Sequence, residues 1–133
     1  MGWVSLSLRK LSLRANISNL ELRDIQISRT LRRTQRTLSC EQATLRKDRS
    51  IRLEQERQKF LAAKEGRPED RNSQEYQEWY EAYQTAKEEY EYEKMDIQNE
   101  IDDELARLED EAADKEAQLQ QEQTTIECRI ERY

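Results

Sequence analysis

The sequence predicts an all-α fold: a long, rod-like antiparallel two-helix coiled-coil hairpin, alone or within a larger helical bundle. Three observations carry this. Ala, Glu, Lys, Leu and Arg make up about half of the 133 residues, the composition of long helices. Leu, Ile, Val and Phe are only about 18% of the chain against 39% charged residues, too little apolar matter for a compact core. Apolar residues also recur at steps of three and four through two stretches, separated by one strong break near the midpoint.

In the first stretch Leu6, Leu13, Leu20 and Ile27 repeat every seven, with Ile17, Leu31, Leu38 and Leu45 at the offset positions. This predicts a first helix over 13–65, preceded by an N-terminal docking segment, 1–12. The break is Gly66 to Ser73. Gly66 suits the left-handed residue that ends a helix, and Pro68 lacks the N–H needed to continue one. Asn72 or Ser73 then supplies a capping oxygen, and Glu75 completes a capping box with Asn72. The turn is therefore placed at 66–73 and a second helix at 74–133, all within one domain, 1–133. The second stripe runs Tyr76, Trp79, Tyr83, Ala86, Tyr90, Ile97, Ile101, Leu105, Leu108, Ala112, Leu119, Ile126 and Ile130. Ile97 to Leu108 forms a local eleven-residue step.

Neither narrow stripe is stable without a partner, so each arm is expected to lie against the other. Folding the chain symmetrically about the break pairs Phe60 with Trp79, Leu53 with Ala86 and Leu38 with Ile101. It also pairs Leu31 with Leu108, Ile27 with Ala112, Leu20 with Leu119 and Leu13 with Ile126. Charge supports the fold-back. Residues 1–64 carry 15 basic and 6 acidic side chains, net +9; residues 65–133 carry 8 and 23, net −15. The same register sets Arg29, Arg32, Arg33 and Arg36 opposite Asp102, Asp103, Glu104, Glu109 and Asp110. It sets Arg46, Lys47, Arg49 and Arg52 opposite Glu88, Glu89, Glu91 and Glu93. Exposed pairs contribute little each and select orientation more than they stabilise.

Composition removes most catalytic chemistry. Without histidine there is no His-based triad, imidazole acid/base or histidine metal site, and two glycines cannot build a phosphate-cradling loop. No enzyme activity, cofactor or metal is expected. The Asp102, Asp103, Glu104 run reads as a solvated acidic face, because consecutive helical residues diverge. The arginine run reads as a charged flank rather than a nucleic-acid interface, in keeping with a net charge of −6. Cys40 and Cys128 fall far apart in the hairpin and are expected as free thiols. No signal peptide or membrane span is expected, which places the chain in the cytoplasm or within a virion or other assembly.

The candidate interaction residues follow from surplus. Trp3, Val4, Leu6, Leu8, Leu11 and Leu13 outnumber what Ile126, Ile130 and Tyr133 can cover, and uncovered apolar surface marks a subunit contact. Val4 to Leu8 also alternates as a short strand would, and Arg9, Lys10 and Arg14 allow a membrane-surface reading, which is the weaker one. Tyr80 and Tyr92 lie off the second stripe and are further docking candidates. These features predict a structural or assembly subunit of a virion, filament or secretion apparatus, with protein subunits as homo- or hetero-oligomeric partners. In outline it resembles the stalk-type coiled-coil proteins of bacterial export machines, in architecture alone. An alternative is an adaptor or chaperone that shields a partner's amphipathic helix, its seam kept loose by Asp24, Thr34, Glu41 and Asp48.

Overall fold

The computed structural model describes residues 2–133, with side chains from Ser7 onward. It is an all-α helical hairpin of two helices, α1 (Gly2–Lys64) and α2 (Gln74–Glu131), with no strand among the described residues. Helix α1 begins at Gly2 rather than at residue 13, so the backbone of the expected docking segment continues the helix. Nothing between Gly2 and Lys64 interrupts it, since the first proline comes at Pro68.

The turn forms where the breaker residues stand. Glu65 N–H still donates to Leu61 carbonyl at 3.2 Å, and Gly66 then adopts φ 77°, the left-handed conformation that glycine takes without steric cost. At the other end Asn72 N–H donates to Asp70 Oδ1 at 3.0 Å, a local turn built by the aspartate side chain. The residue that caps α2 is Ser73, whose Oγ accepts Tyr76 N–H at 3.0 Å and donates to Asp70 carbonyl at 2.7 Å. The expected Asn72–Glu75 capping box is not formed. With Ser73 as cap, the third helical position is Tyr76, which has no carboxylate to reach back.

The chain divides into two compact units. One is Glu41–Arg107, containing the turn; the other is Met1–Cys40 with Leu108–Tyr133. In the turn-bearing unit aromatic rings hold the arms together. Tyr80 stacks on Tyr76 and Tyr76 tilts against Trp79. Trp79 stacks on Tyr83 at 5.3 Å, and Phe60 lies 5.7 Å from Tyr83 and 5.3 Å from Tyr90. Each such pair adds about 0.5–1.5 kcal/mol beyond the area it buries. Arg67 places its guanidinium 5.7 Å from the Tyr76 ring centre and 5.9 Å from that of Trp79, tying the turn to the same cluster. Ile97 is the buried aliphatic residue of this unit, 1% exposed.

The other unit buries Ile27, Ile126 and Thr34. Half-buried Ile17, Leu20, Asp24, Leu31 and Leu38 continue the α1 stripe around them, and Leu108, Ala112, Leu119 and Ile130 continue that of α2. Thr34 satisfies its hydroxyl by donating to Thr30 carbonyl one turn back. Fully burying an isoleucine such as Ile27 stabilises by about 1.5–3 kcal/mol.

The register differs from the symmetric fold-back. Phe60 sits between Tyr83 and Tyr90, about one and three helical turns beyond the expected Trp79. Trp79 instead reaches the end of α1, where its indole N–H meets Glu65 carbonyl. In the other unit Ser28 Oγ accepts from Gln123, Arg23 pairs with Glu122 and Gln35 with Glu116. Correspondingly Ile126 is 5% exposed while Leu13, its expected partner, is 43% exposed. The cause lies at the turn: the first turn of α2 overhangs the end of α1, so each α2 residue meets α1 nearer the turn than the symmetric fold-back sets it.

Candidate interaction surfaces

Three surfaces follow from this arrangement. The first is the charged lattice of the turn-bearing unit. Arg52 donates to Glu100 at 2.9 Å and to Glu93 at 3.3 Å, lies 3.8 Å from Asp96, and shares Glu100 with Arg49 at 3.4 Å. Arg52 is held further toward its charged form, chiefly by the hydrogen bond to Glu100. Arg52–Glu93 is one of the pairings expected from the fold-back, and the others here follow from the shifted register. Arg49 Nε is buried and has an ion-pair neighbour without hydrogen-bond geometry. Asp24 Oδ1, in the other unit, is likewise buried without a hydrogen-bond partner. The seam is thus polar at several levels. Those levels are Asp24 and Thr34 as expected, then Gln42 and Arg49; Glu41 and Asp48 are exposed. The stripe steps from Thr34 to Leu38 to Gln42, four and four, and so leaves the heptad that would have carried Glu41 and Asp48 inward.

Glu104 is paired within its own helix. Its carboxylate accepts from Arg107 at 2.8 Å, which holds it below the usual carboxylate range, first through that hydrogen bond and then through the charge of Arg107. No group of three or more His, Cys, Asp or Glu that could hold a metal ion occurs among the described residues. Cys40 and Cys128 are free and exposed. Among the described residues no helix is long and apolar enough to cross a membrane.

The second surface is an open groove of about 640 Å³ in the turn-bearing unit. Leu53, Ile97, Ile101 and Met95 form its apolar part, and Arg46, Arg49, Glu91 and Lys94 its rim. Tyr92 is exposed on a different face, beside Arg52, Glu56 and Lys59. Tyr80 is exposed at 45%, yet its ring stacks on Tyr76, so one of its faces is committed to the turn cluster.

The third surface is the first half of α1. Leu8 and Leu11 are each 61% exposed. Trp3, Val4 and Leu6, expected beside them, have side chains outside the described residues. Further along, Leu22 is 55% and Ile25 49% exposed, two apolar surface residues that the seam-based reading passed over. Their signal was present in the sequence: Leu8, Leu11, Ala15, Ser18, Leu22 and Ile25 are spaced alternately by three and four, a second stripe on the side of the helix away from the seam stripe of Ile17, Leu20, Asp24 and Ile27.

These features define a class, the all-α helical hairpin of two long helices. Comparison with protein-family models, with characterised proteins and with solved structures finds no match for this chain.

Proposed function

We propose that this chain is a non-enzymatic structural or assembly subunit that docks into a larger protein complex, of the kind found in a virion, a filament or a secretion apparatus, through the first half of α1. One observation carries the reading: Leu8, Leu11 and Leu13 stand exposed on a chain in which 39% of residues are charged. Clustered apolar surface of this sort on an otherwise polar protein marks a protein contact. The fold contributes by separating tasks, since the aromatic cluster and turn close the hairpin without using these leucines.

A second reading, an adaptor or chaperone for an amphipathic helix, is favoured by the polar seam, where Asp24 Oδ1 and Arg49 Nε are buried without a hydrogen-bond partner. Such levels weaken the grip of one helix on the other and would let a client helix exchange in.

The test is site-specific photocrosslinking in the native host, with a photoreactive residue at Leu8 or Leu11 of the full chain and a control at exposed Gln55. Discrete adducts at the two leucines above the control are expected. Adducts no stronger than at Gln55 would overturn the assembly reading. Adducts instead along the seam, at Leu31 or Leu45, would favour the chaperone.

A further inference from the structure

From the second stripe on α1 we infer that its occupant is a second copy of this chain, bound antiparallel through Leu8, Leu11, Leu22 and Ile25 about a centre at Ala15 and Ser18. The inference deepens the assembly reading and rests on it, by naming the first partner that the exposed helix meets.

The stripe is a separate face. Ile17, Leu20, Asp24 and Ile27 are turned toward α2 and at least half-buried, whereas Leu8, Leu11, Ala15, Ser18, Leu22 and Ile25 are all exposed. At about 100° per residue the two sets lie on nearly opposite sides of the helix. A helix carrying apolar residues at alternating steps of three and four pairs with another of the same spacing, and a two-helix seam needs no other geometry.

Self-complementarity selects the direction. With two copies antiparallel about the Ala15–Ser18 level, Leu8 meets Ile25 of the other copy, Leu11 meets Leu22, and the two small residues fill the centre. Large side chains then face large ones at both ends, and the closely approaching middle is occupied by small ones. The flanks decide more sharply. Arg14 and Glu21 occupy the same flanking position one heptad apart, so this antiparallel register brings Arg14 of each copy to Glu21 of the other, giving two symmetric ion pairs. The opposite flank carries Ser12 and Asn19, which face each other without charge. A parallel arrangement would instead set Arg14 against Asn19 and Glu21 against Gln26, with no charge matched. The contact is isologous and closes at two chains, leaving the rest of each hairpin available to other subunits.

The test uses the full chain with Cys40 and Cys128 replaced by serine. One preparation carries Ala15→Cys, another Ser18→Cys, and the two are mixed in a glutathione redox buffer. The mixed 15-to-18 disulfide is expected to dominate; dominance of 15-to-15 and 18-to-18 products would mean parallel pairing and overturn the inference. Sedimentation equilibrium should show a dimer, and Leu11→Asp with Leu22→Asp should give a monomer of unchanged helicity. Glu21→Arg should weaken the dimer about tenfold, and adding Arg14→Glu should restore it. A chain that stays monomeric up to about 1 mM overturns the inference. If Leu8 and Leu11 nevertheless photocrosslink to a different protein in the host, the second-copy inference fails while the assembly reading stands.

Discussion

The indole N–H of Trp79, near the start of α2, donates to the backbone carbonyl of Glu65, just past the end of α1, at 3.3 Å. A helix leaves its last carbonyls without partners, and this bond closes one of them from the opposing arm. Because the same ring stacks on Tyr83, Trp79 fixes both the end of one helix and the register of the other.

Two substitutions separate these roles. Trp79→Phe keeps a ring for stacking and loses the hydrogen bond, so a loss of about 1 kcal/mol is expected. Trp79→Ala removes the ring from a half-buried site and should cost about 2–3 kcal/mol, below the 3–5 of a fully buried aromatic. Urea unfolding followed by circular dichroism measures both; equal losses would assign the whole effect to the hydrogen bond.

The cap at the start of α2 gives an independent prediction. Ser73→Ala removes the acceptor of Tyr76 N–H and should lower stability by about 1 kcal/mol. Asn72→Ala should change it by only a few tenths, because Asn72 contributes its backbone N–H to the Asp70 turn and that group survives the substitution. A larger loss at Asn72 than at Ser73 would move the cap to Asn72.

Charge between the arms is readable by pH. Glu122 accepts from Arg23 at 2.8 Å, and this hydrogen bond, aided by the positive charge, holds its carboxyl below the usual carboxylate range. A carboxylate depressed in the folded state contributes stability that is present above its unfolded pKa and lost as pH falls through its folded one. That contribution should disappear on acidification below about pH 4.5. In Arg23→Gln the Glu122 carboxyl should titrate at a higher pH than in the parent, by carbon-detected NMR; no movement would mean the pair does not persist in solution.

Much of the fold was legible because its signals are local. Gly66 and Pro68 end α1 through their own backbone chemistry, and the stripes from Ile17 to Leu45 and Tyr76 to Ile130 announce both helices. Leu8 and Leu11 were legible as surplus apolar surface. The register was not legible, since a heptad pattern slid along its partner by seven residues matches almost as well. Leu53, set against Ala86 by the fold-back, instead lines a groove with Ile97 and Ile101. What decides is how far α2 overhangs at the turn, and that depends on Asp70, Ser73 and Trp79 acting together across the loop. Leu22 and Ile25 were passed over because attention to one stripe per helix leaves a second unassigned.

Register therefore offers the most direct challenge to the packing described. In the Cys40→Ser, Cys128→Ser background, Ser28→Cys with Gln123→Cys places thiols where a 3.0 Å hydrogen bond now joins the side chains. A short bismaleimide should close this pair within one chain. Leu13→Cys with Ile126→Cys tests the symmetric fold-back and should not close, since Leu13 is 43% exposed while Ile126 is buried. Mass spectrometry of the denatured product separates intrachain from interchain links. Efficient closure of the second pair, with failure of the first, would shift α2 away from the turn along α1 and remove the exposure of Leu13 that supports docking through α1.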